Sequence, residues 1–151
     1  MAVQPAHSFK SQLKLLVDWQ DLDEWTRLQL LQIENFCHHH GWTLRRISDQ
    51  QSKVMTPIVS IWQVVIDNQG VQKVAWMISG DLPVDMVYGE KAKDARDAVR
   101  VFSRKFIRKA QMLKQASAVV PSDEKSKMQR LVKAAADLLV LYHEDSLWEE
   151  S

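Results

Sequence analysis

The chain has 151 residues, 46% of them hydrophobic and 26% charged, with a net charge of +1. That length suits one ordinary domain, and that balance excludes a disordered chain. A single cysteine, Cys37, excludes an intrachain disulfide, and no apolar run approaches the length of a membrane span.

The first residues hold no basic stretch leading into an apolar one, so the expected location is the cytoplasm, with no membrane partner. Charge is unevenly spread. Residues 1–89 carry 7 basic and 9 acidic side chains, residues 90–130 carry 12 and 5, and residues 131–151 carry 1 and 5. A basic segment beside an acidic tail points to pairing within the chain or to a surface that meets a partner.

Residues 1–20 read as an extension, in which Phe9, Leu13 and Leu16 share one side of a short amphipathic turn. The domain proper is expected over 21–151. Residues 21–40 have helical periodicity, with Asp21 as N-cap, Glu24 in the capping-box position and Gly41 as the left-handed residue that ends the helix. Leu22, Trp25, Leu28, Ile33 and Phe36 form its expected apolar stripe. Residues 43–48 read as a short edge strand or an extended connection.

The clearest strand signal is the β-branched and aromatic run Ile58–Ile66. A turn at Asp67–Gly70 follows, then a second strand from Val71 to Ser79. Val74, Trp76 and Ile78 share one face of that strand, and Lys73, Ala75 and Met77 the other. Gly80 and Pro83 break it. Residues 92–116 form a long helix with Ala95, Val99, Phe102, Phe106, Ala110 and Leu113 in one stripe. Pro121-Ser122-Asp123-Glu124 starts a last helix running to about His143, with Leu131, Val132, Ala135, Leu138, Leu139 and Tyr142 toward the core. The expected fold is therefore a single small α+β domain: an antiparallel hairpin or small sheet packed against about three helices, the long helices on one face.

Four features invite a functional reading. Cys37-His38-His39-His40 offers metal-ligand chemistry, but structural zinc needs four ligands and no second cluster exists, so a helix's last turn is the better reading and no metal is expected. Ser79-Gly80-Asp81-Leu82-Pro83-Val84-Asp85 sits on a loop at a strand end, where binding groups collect. Its Asp81 and Asp85 have the chemistry of an acid–base or cation-binding pair. The plainer alternative is a turn in which the Asp81 carboxylate accepts backbone N–H bonds while Asp85 stays more exposed. Arg96, Arg100, Arg104 and Arg108 recur every four residues, forming a basic ridge opposite the apolar stripe. Phosphate contacts would suit that ridge, but no nucleic-acid-binding motif accompanies it. Six tryptophans are many for this length. Trp76 falls on a core face, Trp62 on either face of its strand, and Trp148 is expected to dock on the body or on a second subunit.

Trp76-Met77-Ile78-Ser79-Gly80-Asp81-Leu82-Pro83-Val84-Asp85 resembles the signature of a functionally uncharacterised family of small bacterial proteins. In that family an aromatic residue leads into Ile-Ser-Gly-Asp-Leu-Pro, a variable residue and Asp. The strand Pro57–Val64 with its Trp62 and the tail Tyr142–Trp148 resemble it too. The resemblance implies a single domain and transfers no catalytic residue.

These readings favour a non-catalytic binding or interaction protein, without a cofactor and with a homodimer as one expected assembly. Its recognition surface would combine the hairpin and the Ser79–Asp85 loop, with Trp62, Trp76, Ser79, Asp81 and Asp85 as candidate binding residues. The partner would be a protein or a small molecule. A small hydrolase or cation-dependent enzyme using Asp81 and Asp85 is the alternative. Nucleic-acid binding through the 92–116 helix ranks third.

Overall fold

The β-rich middle of the chain builds the centre of the fold. The computed structural model describes residues 10–116 and 122–149. Phe9, Pro121 and Glu150 lie outside them. Four strands, β1 (Thr43–Met55), β2 (Val59–Asn68), β3 (Val71–Gly80) and β4 (Asp85–Tyr88), form one antiparallel sheet in the order β1-β2-β3-β4. β2 and β3 pair without a break from Val59 opposite Gly80 to Asn68 opposite Val71. Gln69 and Gly70 close them with φ of 53° and 87°, the two positive values that a tight hairpin turn requires. The Asp67 carboxylate accepts the Gly70 N–H at 2.8 Å.

The helices are α1 (Leu13–Leu16), α2 (Glu24–His39), α3 (Ala95–Gln115) and α4 (Ser122–His143). The two longest, α3 and α4, share one face of the sheet as expected, while α1 and α2 cover the other, which the sequence reading left open. Val59, Ile61, Trp76, Ile78 and Val87 pack against Val99, Phe102 and Phe106 of α3 and Leu131 and Leu138 of α4. On the other face Trp62, Val64, Ile66, Ala75 and Met77 pack against Leu30, Ile33 and Cys37 of α2 and Leu13 of α1. The physical reason is in the strands themselves. Their central residues are apolar at both parities, so neither face can be left to water.

Helix boundaries follow local chemistry. Asp23, not Asp21, caps α2, its Oδ1 accepting the Thr26 N–H at 2.8 Å, because Trp19–Asp21 is taken up in a short 3-10 turn. The stripe of α2 is also rotated from the expected one. Leu30 is fully buried while Leu28 is half exposed, and polar Thr26, Gln29 and Glu34 share the buried side. Glu34 is used there: it accepts the Gln12 N–H at 2.9 Å, fastening the segment that carries buried Leu13. In α3 the expected stripe holds, and Asp94 caps the helix by accepting the Asp97 N–H at 2.8 Å. In α4, Val132 and Leu139 lie outside the core, half exposed. Ser103 Oγ donates to the Ala135 carbonyl at 2.8 Å and Arg96 to the Tyr142 carbonyl, so α3 and α4 run antiparallel. No helix among the described residues is long and apolar enough to cross a membrane.

Candidate functional site

The Ser79–Asp85 loop leaves the sheet in a backbone shape that only glycine fits. Gly80 has φ of +139°, and a Cβ there would stand 2.3 Å from the Ile58 carbonyl oxygen and 2.8 Å from Val59 Cα. This close approach lets the Asp81 N–H donate to Ile58 O at 3.0 Å. Ser79 is fully buried, its Oγ 2.7 Å from Ser60 Oγ on the neighbouring strand. Leu82 is buried in the α3–α4 core.

The two aspartates occupy environments opposite to those expected. Asp85 is 4% exposed. Lys105 Nζ lies 2.9 Å from its Oδ1 and Lys109 Nζ 2.7 Å from its Oδ2, while the Met86 N–H also donates to Oδ1. Asp81 is exposed, and its carboxylate caps no backbone N–H among the described residues. The reversal has a simple cause. Pairing of β4 sets Asp85 opposite Ile78, on the sheet face that α3 covers, and Lys105 and Lys109 of that helix meet it there. Both Asp85 oxygens are thus engaged by ammonium groups rather than free to hold a cation or exchange a proton.

The remaining candidates separate into packing residues and free surface. Trp76 is fully buried and donates Nε1–H to the Ala92 carbonyl at 3.1 Å. Trp62, 3% exposed, faces α2. Neither presents a ring to solvent. In the basic ridge, Arg96 is spent on the C-terminal tail: it donates to the Tyr142 carbonyl and pairs with Asp145 at 2.6 Å. Trp148 follows in that tail and docks on the body, its Nε1–H donating to the Leu141 carbonyl at 3.0 Å. Arg100 pairs with Asp97 at 2.6 Å. Arg104 and Arg108 are exposed and have no ion-pair partner among the described residues.

The Cys-His run is a helix end. Cys37 is buried with its Sγ 3.6 Å from Met77 Sδ, and burial, aided by the Glu34 charge, pushes its thiol up to about 12. The His40 ring stacks on Trp42 at 4.7 Å. Among the described residues no three His, Cys, Asp or Glu side chains converge on a point that could hold a metal ion.

Sequence reasoning did not single out the cavity beside the loop. About 470 Å³ in volume, it opens between Pro83 of the loop and the facing ends of α3 and α4. Pro83, Leu113 and Leu131 supply apolar lining, and Lys127 and Arg130 supply positive charge beside Lys109, whose ammonium is paired with Asp85, with no acidic residue among the lining side chains described. The signal for it was present in the basic excess of residues 90–130, but that excess spans two helices and only their pairing brings Lys127 and Arg130 beside Lys109 around one apolar floor.

No curated protein and no solved structure matches the chain. Residues 20–148, which contain the glycine-dependent loop, the Asp85–lysine contacts and the docked tail, match the family described as a domain of unknown function, DUF4826, and the chain belongs to that family.

Proposed function

We propose that this domain is a non-catalytic binding protein, and that the cavity beside the Ser79–Asp85 loop takes a small amphiphile with an apolar body and an anionic head. One observation carries the reading: an apolar hollow of about 470 Å³ edged by Lys109, Lys127 and Arg130. Small-ligand sites have this size and this mixture, mostly apolar lining with a few placed polar groups. Lys127 and Arg130 are exposed, so their charge is available to a ligand head at the rim. The hydrolase alternative is weaker, because it needs Asp85 as a free carboxylate and both of its oxygens are held by lysines.

A dansyl-labelled undecanoate, titrated by fluorescence, tests the proposal. The acid should bind, and its methyl ester should bind about tenfold more weakly, a difference of about 1.4 kcal/mol. The double variant Lys127→Glu, Arg130→Glu should lose the preference for the acid. Equal binding of acid and ester, or an unchanged preference in the variant, would overturn the reading.

A further inference from the structure

A second concave surface lies elsewhere, on the solvent-facing groove between α3 and α4. It has a volume of about 820 Å³, and Arg104, Arg108, Ile107, Leu139, Tyr142 and His143 are among the side chains that line it. Two properties set it apart from an ordinary solvated helix face. Its floor is apolar and open, with Ile107 36% and Leu139 46% exposed. Its charge is of one sign: among the described residues no acidic side chain lines it, and Arg104 and Arg108 have no ion-pair partner. Exposed apolar surface that is gathered in one groove and rimmed by polar groups is the pattern of an interaction site, unlike aliphatics scattered singly.

We infer that this groove docks an acidic amphipathic helix of a partner protein. Two antiparallel helices with an apolar trough between them accept a third helix by its apolar face, and carboxylates beside that face would meet Arg104 and Arg108. A second copy of the chain fits less well. An isologous contact would set the same cations against each other, and like charges across an interface are strongly unfavourable. Nucleic acid also fits less well. Single-stranded binding relies on open aromatic rings for stacking, and here Tyr142 is half-buried, edge-on to His143 and already covered by Arg96 at 5.5 Å.

The test is fluorescence anisotropy with a labelled model helix, about five turns long, carrying leucine on one face and glutamate on the rest. The full chain should bind it, with affinity falling as salt rises. Arg104→Glu with Arg108→Glu should weaken binding at least tenfold, and Ile107→Ser should weaken it at unchanged salt dependence. All three positions are exposed, and unchanged melting will confirm that the variants fold. Lys127→Glu with Arg130→Glu, at the other cavity, should leave peptide binding as it was. Four results would overturn the inference: no binding of the acidic helix, equal binding of its lysine counterpart, tighter binding of a single-stranded oligonucleotide, or a dimer that the Arg104 and Arg108 variants dissociate.

Discussion

Lys105 of α3 reaches across to Asp85 at the start of β4, its Nζ 2.9 Å from Oδ1 and 2.6 Å from the Met86 carbonyl. The contact ties the last strand, only four residues long, to α3, whose Val99, Phe102 and Phe106 are buried in the core. A strand this short has few ladder bonds of its own, so its position depends on such ties. Asp85→Ala should therefore lower stability by about 2–3 kcal/mol, since two partly buried ammonium groups lose their counter-charge. Asp81→Ala, at the exposed end of the same loop, should change it by less than about 0.5 kcal/mol. Urea denaturation of the two variants checks the contrast, and equal effects would contradict the assignment.

Gly80 and Gly70 both have positive φ, yet substitution should affect them differently. Gly80→Ala drives a methyl into the Ile58 carbonyl and should cost several kcal/mol, about 3 or more, with the loop displaced from β2. At Gly70 a Cβ meets nothing within 4 Å, so only backbone strain of about 1 kcal/mol remains. Melting curves of the two alanine variants give the comparison directly.

Cys37 should be chemically silent in the native protein. A buried thiol raised to about 12 holds almost no thiolate near neutral pH. A thiol-reactive disulfide reagent should leave the folded chain unlabelled and modify one thiol per chain in guanidinium. Rapid labelling of the folded state would show that α2 does not cover this face of the sheet as described.

Asp97 makes stability depend on acid. Burial works against its carboxylate, but the Arg100 guanidinium, the Lys93 N–H and the charges of both residues outweigh it and hold the group below its ordinary 3.8. A carboxyl lowered in the folded state adds stability that is complete above its unfolded value and is lost as pH falls through the folded one. Between about pH 6 and about pH 3, the wild type should therefore lose more stability than Asp97→Asn. The pair is partly solvated, so the difference should stay under about 1 kcal/mol.

The hairpin was legible almost residue by residue, because β-branched density and the Gln69-Gly70 turn are local signals. So was the stripe of α3, whose polar and apolar sides are cleanly separated. The stripe of α2 was not, since Leu28, Leu30 and Leu31 surround much of that helix and only the opposing sheet selects Leu30. β4 escaped notice because Asp85–Tyr88 is too short to show alternation. The reversed fates of Asp81 and Asp85 were hidden for the same reason: they depend on a strand pairing and on lysines about 20 residues further along α3.

β1 forms one margin of the sheet, 13 residues long with no strand beyond it among the described residues. Its pairing with β2 shifts register twice, between Leu44 and Arg46 and between Ser48 and Lys53. Those dislocations, with charged Arg45, Arg46 and Lys53 along the strand, break up the flat row of amide groups that a foreign chain would need in order to add on. The outermost strand thus guards against self-templating and amyloid-like growth by being irregular where regularity would be hazardous.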